Sequence, residues 1–293
     1  MLGPLLYQGE PIRRWDMGTF VDEDGTAYLL LHGGVFYRLN DEGTEAVEMV
    51  CDGLKPHGES PTIYKHDGVY YALFSNLTSW ERNDNFYFTA PSMAGPWTYQ
   101  GYFCPEGTLT HNTQCSFTFP LETAQGIVPV YVGDRWSFPM QASAATLVLL
   151  PMEFAEGKLS IPKYLPCWDP QSRQAMDIAP SCALDFTSNS PEQSCEIPFE
   201  GTEIFLFGKT DRDGGYGQLE LLDENGSLLH RAVVDFYSLV PFEGIRYKSP
   251  LLPRGRYMLR VTPLGKGGVW FSKNGTRFGS VDCFIRVTGA AAV

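Results

Sequence analysis

Three polar residues, Asp16, Glu59 and Gln114, open three similar stretches of this chain. Each stands at the start of an alternating apolar run that reads as the first strand of a repeated unit. Where such units are arranged round an axis, their first strands line a central channel and side chains from several units converge. The chemistry open to such a set is glycoside hydrolysis. That reaction needs a protonated acid, a partner that handles water and a group that tunes them. An acidic residue at the mouth of a turn serves equally to cap a backbone N–H, so spacing alone leaves both roles open.

The units that would position these residues are legible as repeats. Met17-Gly-Thr-Phe-Val-Asp-Glu-Asp-Gly-Thr-Ala-Tyr-Leu-Leu-Leu31 is two apolar runs around an acidic Asp-Gly turn, a hairpin signature. Ser60-Pro-Thr-Ile-Tyr-Lys-His-Asp-Gly-Val-Tyr-Tyr-Ala-Leu-Phe74 repeats the plan. A looser third copy pairs Cys115–Phe119 with Ile127–Val132 across a longer turn containing Gly126. Gly-Pro followed by Tyr-Gln-Gly recurs between Met1–Glu10 and Ser92–Phe103. A repeat of about 45 to 55 residues holding several short strands is the sequence form of propeller blades. About three blades are expected, with the chain starting inside the ring.

Composition supports an all-β reading. Thirty Gly, 21 Pro, 15 Tyr and 19 Phe suit many short strands joined by tight turns. At 293 residues two domains are the default. A linker rich in Pro, Ser, Gln and Asp is expected over 169–194, separating blades at 1–168 from a β-sandwich at 195–293. A net charge of -12, spread along the chain, repels phosphate backbones and anionic membranes and leaves a neutral glycan as the better partner. No segment has the apolar length of a membrane span, and Met1 is followed by no basic and apolar leader. Seven cysteines without metal-ligand spacing favour a reduced, cytoplasmic setting, although Cys182 and Cys195 are placed to pair. No cofactor and no metal are expected.

Four ordered segments carry a family resemblance over about residues 1 to 155. Arg14-Trp-Asp-Met-Gly-Thr-Phe-Val-Asp-Glu-Asp-Gly-Thr-Ala-Tyr28 resembles the Arg-Asp-Met...Asp-Asp-Asp-Gly-Thr-Ala-Tyr blade of glycoside hydrolase family 43, in its exo-β-1,3-galactanase-like branch. Glu59-Ser-Pro-Thr-Ile-Tyr-Lys-His-Asp-Gly-Val-Tyr-Tyr71 is similar to that branch's Glu-Ala-Pro...Asn-Gly-Lys-Tyr-Tyr. His111-Asn-Thr-Gln-Cys-Ser-Phe117 resembles its Ser-Gln-Ser segment, and Tyr131-Val-Gly-Asp-Arg-Trp136 its Gly-Asp-Arg-Trp. The C-terminal strands look like the jelly-roll modules appended to many glycosidases.

The resemblance implies a five-bladed propeller, here partial, and roles for named residues. Glu59 would be the general acid, Asp16 the carboxylate that orients it and raises its proton affinity, and Gln114 an amide in place of the usual base. That amide would position the attacking water or act through its imidic tautomer. Thr78 and Trp80, in Ser75-Asn-Leu-Thr-Ser-Trp80, fall near the sugar, where Trp80 can stack on it. Arg135 is a further candidate for substrate binding, while Asp134 and Trp136 read as structural and His111 as a channel-facing or merely hydrogen-bonded imidazole. Trp270, Tyr216 and Tyr237 are stacking candidates in the sandwich, with core packing the competing use.

The chain also departs from the family pattern. The first blade, most of the second and the Glu-Arg-Pro segment have no counterpart here, so a second chain or copy is a candidate to complete the ring. The Ser-Arg-Tyr stretch is replaced by Ala142-Ser-Ala-Ala-Thr146, and Ser by Cys115. The expected function is an inverting, exo-acting glycosidase on β-1,3-galactan. The alternatives are a glycan-binding protein without turnover and a family 43 arabinofuranosidase or xylosidase.

Overall fold

The structure, a computed structural model, describes residues 5–12, 15–140, 146–176 and 178–293. Strands dominate the described residues, broken only by a single turn of helix at Leu109–Asn112 and a 3-10 turn at His32–Gly34. No helix is long and apolar enough to cross a membrane.

The three expected hairpins open three sheets. Met17–Val21 pairs with Ala27–Leu31, and Val35–Leu39 and Glu45–Asp52 extend that sheet outward. Glu59–His66 pairs with Val69–Ser75 across Asp67-Gly68, both at positive φ as a two-residue hairpin turn requires. Phe86–Ala90 and Thr98–Tyr102 complete the second sheet. Gln114–Thr123 pairs with Gly126–Arg135 in register down to Thr123↔Gly126, so the turn expected to be long is tight. Thr146–Pro151 closes the third sheet. Leu6–Tyr7 lies parallel to Glu45–Ala46 at the outer side of the first sheet.

In each sheet the opening strand is the terminal one, and the second opening strand lies against both the first and the third. The Thr62 and Thr118 hydroxyls stand 3.0 Å apart, and Thr118 also donates to the Ile63 carbonyl. At the far end of the first two strands Lys65 pairs with Asp22 at 2.7 Å, and the Tyr70 hydroxyl donates to the same carboxylate. Aromatic and aliphatic side chains fill the wedges between sheets. Phe36, Phe74, Phe86 and Phe88 pack between the first and second, and Tyr71, Tyr87, Phe103 and Tyr131 between the second and third. Each such burial stabilises by about 1.5 to 3 kcal/mol.

Gly18 sets how closely the first two opening strands approach. A Cβ there would stand 2.2 Å from the Pro61 carbonyl oxygen, a contact only backbone movement relieves. Gly18→Ala is therefore expected to cost about 3 kcal/mol in denaturant unfolding, the upper end of core overpacking. A loss under about 0.5 kcal/mol, the scale of a neutral surface change, would show that the approach is not tight.

Residues beyond 181 form two four-stranded antiparallel sheets packed face to face. One has the order Cys182–Ser188, Ile285–Ala292, Ile204–Thr210, Phe242–Lys248, and the other Cys195–Gly201, Gly255–Pro263, Tyr216–Asp223, Leu228–Asp235. Their inner faces bury Leu206, Leu219, Phe236, Leu259 and Val261. The linker expected over 169–194 is shorter than read. Cys182–Ser188 is a strand paired with Ile285–Ala292, and only Leu184 and Phe186 of its side chains pack on the core, too weak an alternation to register. All seven cysteines are free, so Cys182 and Cys195 are unpaired.

Candidate active site

The side-by-side opening strands bring the three polar residues to one end of the sheets. Glu59 and Gln114 are the first residues of their strands, and Asp16 immediately precedes Met17–Val21. Gln114 Nε2 donates to Glu59 Oε1 at 3.1 Å and to Ser75 Oγ at 3.1 Å. Ser75 is the strand partner of Glu59, so the amide bridges the two strands of the hairpin from outside. The indole N–H of Trp136 donates to Gln114 Oε1. An indole nitrogen can only donate, which fixes the amide orientation with its oxygen toward Trp136 and its nitrogen toward Glu59. Asp16 Oδ2 accepts the Ser60 backbone N–H at 3.2 Å, one residue from Glu59. Both Asp16 and Ser60 hold a positive φ, strain that a packed site sustains.

This arrangement decides protonation. Burial pushes the Glu59 carboxyl up to about 7, the Asp16 charge adds to the rise, and the Gln114 hydrogen bond opposes it. With Oε1 accepting from Gln114, the proton of the neutral acid falls on Oε2. The site thus holds an ionisable proton near neutrality beside a second carboxylate, the pairing from which acid catalysts are made.

The amide has little capacity left. Both Nε2 hydrogens are committed, and Oε1 keeps one further lone pair for a water. These bonds are those of the amide form, which favours positioning of water over the imidic route.

Trp80 and Thr78 sit on a loop organised by Asn83. Asn83 Nδ2 donates to Thr78 Oγ1 at 2.6 Å and to the Asn76 carbonyl at 2.9 Å, and its Oδ1 accepts the Asn76 N–H. Thr78 Oγ1 donates to the Glu81 carbonyl, so its hydroxyl is engaged in shaping the loop. Trp80 stacks on Phe138, 4.9 Å between centroids, edges against Trp136 and remains 39% exposed. The loop is clamped to the sandwich, where the Tyr237 hydroxyl donates to buried Glu81 at 2.7 Å.

The remaining candidates lie elsewhere. Arg135 alternates to the face opposite Asp134 and lies against the Tyr164 and Phe242 rings, at the junction with the sandwich rather than beside Glu59. Adjacent residues of one strand point to opposite faces, and Asp134 and Arg135 accordingly form no ion pair with each other. Burial raises the Asp134 carboxyl, which accepts a hydrogen bond from Ser116. His111 Nε2 lies 2.9 Å from the Ile161 carbonyl, and burial lowers its proton affinity. Trp270, Tyr216 and Tyr237 are buried at the junction, with the Tyr216 hydroxyl donating to the Ser137 and Phe138 carbonyls. Packing is their use.

One residue joins the site that sequence reasoning did not place there, and a second lies next to Asp16 in the chain. Trp136, read as structural, orients Gln114. Trp15, which precedes Asp16, stacks on the His32 ring at 4.5 Å and is 65% exposed, and a Trp next to a candidate carboxylate was the available signal in the sequence. Among the described residues no group of three or more His, Cys, Asp or Glu side chains could hold a metal ion.

No protein-family model and no curated protein matches the chain. Solved structures do. A Bifidobacterium bifidum protein proposed to be an exo-β-1,3-galactanase is 36% identical over 54% of this chain and 54% of its own, with a TM-score of 0.47. The exo-β-1,3-galactanase of Phanerochaete chrysosporium, determined with galactose, is 20% identical over 94% of this chain and 67% of its own, with a TM-score of 0.54. That of Clostridium thermocellum is 19% identical over 97% of this chain and 58% of its own, with a TM-score of 0.50. The chain thus spans about half the length of the first of these structures. It shares the all-β fold of the galactanases, propeller-like sheets followed by a sandwich, and the resemblance to the galactanase-like branch of family 43 holds at that level.

Proposed function

We propose that this chain is a glycoside hydrolase that removes galactose from the end of β-1,3-linked galactan with inversion of configuration. The observation that carries this reading is the Glu59 carboxyl, neutral up to about pH 7 beside Asp16 and tied by Gln114. Glu59 Oε2 delivers its proton to the departing glycosidic oxygen as the C1–O bond breaks. A water donating to the free lone pair of Gln114 Oε1 attacks C1 from the face opposite Glu59, and its surplus proton passes to solvent. This step requires the 3.1 Å Gln114–Glu59 hydrogen bond to open so that the sugar lies between the two groups. Asp16 keeps Glu59 protonated between turnovers. The galactanases that share the fold support the choice of substrate.

The test is the purified chain with β-1,3-galactotriose, followed by proton NMR. The reading predicts galactose released first as the α-anomer. β-Galactose appearing first would overturn inversion, and saturable binding with no turnover would replace the hydrolase by a glycan-binding protein.

Trp15 and Trp80 present aromatic faces to the carbohydrate C–H surface. Trp15→Ala is expected to raise KM for galactotriose about tenfold and change kcat less than about twofold, the mark of an interaction made equally in ground and transition states. An unchanged KM would remove Trp15 from the substrate path.

A further inference from the structure

A cavity of about 540 Å³ lies where the third sheet meets the sandwich. Arg135 reaches its wall from the third sheet, and Arg246, Tyr247 and Lys248 reach it from the strand Phe242–Lys248. Tyr164 and Trp168 supply aromatic surface. Among the described lining residues none is Asp or Glu.

The donors in this wall are unsatisfied. Arg135 is 6% exposed, its guanidinium lies 5.0 Å from the Tyr164 ring centre, and its Nε and Nη2 are buried without a hydrogen-bond partner. Arg246 Nη2 donates to the Asp235 carbonyl at 2.5 Å, yet its Nε is buried and unpartnered, as is the Tyr247 hydroxyl. Lys248 is paired with Glu203. The nearby Asp235 carboxyl accepts the Tyr237 N–H and does not line the cavity. Burial pushes it up to about 6, and burial together with Arg135 lowers Arg246 to about 10.

Native proteins rarely leave buried donors empty, and an unpaired buried guanidinium is among the costliest groups to leave so. Two guanidiniums and one hydroxyl among the residues lining this cavity each leave at least one buried donor atom unpartnered, and in a chain of net charge -12 they mark a place built for an acceptor that carries negative charge. The planar guanidinium fork matches a carboxylate, the aromatic wall suits a sugar ring, and the volume falls in the small-ligand range. We propose that this cavity binds a uronate, its carboxylate held by Arg135 and Arg246, its ring against Tyr164 and Trp168, and a ring hydroxyl on Tyr247. The site is separate from Glu59 and stands whether or not the chain hydrolyses galactan.

Calorimetric titration of the whole chain with galacturonate, in saturating galactose to occupy the carboxyl site, tests this. One saturable event is expected, weakened about tenfold or more in Arg246→Gln and in Tyr247→Phe, the scale of a lost hydrogen bond at a charged group, and unchanged in Glu59→Gln. Tyr247→Phe removes only an unpartnered hydroxyl, so it folds, and unfolding midpoints of both variants verify this. Absent binding, binding unaffected by both substitutions, or binding of inorganic phosphate with none of galacturonate would each overturn the proposal.

Discussion

Glu59→Gln is expected to lower kcat on galactotriose about a thousandfold, the contribution of a well-placed general acid. The loss should shrink for an aryl galactoside whose leaving group departs without protonation. That dependence separates an acid from a residue that only shapes the pocket. The same substitution should stabilise the fold at alkaline pH. Folded Glu59 titrates at about 7 against an ordinary value of 4.5, so between these the folded state holds a proton that the unfolded state has lost. Stability therefore falls as pH rises from 4.5 to 7, and the deficit persists above. The glutamine variant carries no such charge. Its thermal midpoint should match wild type near pH 4, exceed it progressively through this window and stay higher at pH 8. A gap independent of pH would contradict the assignment.

Asp16→Asn should act through Glu59. Asparagine retains an oxygen to accept the Ser60 N–H, so the backbone at the strand entrance is kept. The negative charge that adds to the Glu59 rise is removed, while burial, the larger cause, remains. The alkaline limb of kcat/KM, set by ionisation of the acid in the free enzyme, should move to lower pH. Activity at pH 7 should fall roughly tenfold, with partial recovery in more acidic buffer. A purely structural Asp16 would change the melting temperature and leave the limb where it was.

The positions of Asp16, Glu59 and Gln114 were legible because each precedes the same feature, the opening alternating run of a hairpin. Repetition converted three distant residues into one end of three adjacent strands. The roles of Arg135 and Trp136 were not legible. Neighbours on a strand point to opposite faces, and nothing local says which face meets the channel; pairing of Asp134 with Gln114 settles it. Trp136 then leaves the strand and folds back onto the amide. Phe242–Lys248 escaped notice for a related reason: it is an edge strand of mostly half-buried residues, and its end from Ile245 to Lys248 reaches a cavity wall, so it does not alternate cleanly between core and water. The burial of Tyr216, Tyr237 and Trp270 depends on the sandwich docking against Phe138 and Glu81, a tertiary fact without a local signature.

The Glu59 proton is most directly read by NMR titration of side-chain carboxyl carbons in chain labelled at glutamate, with Glu59→Gln to assign the resonance. A midpoint near 7 that falls in Asp16→Asn is the predicted result. A midpoint near 4.5, the same in both proteins, would contradict it.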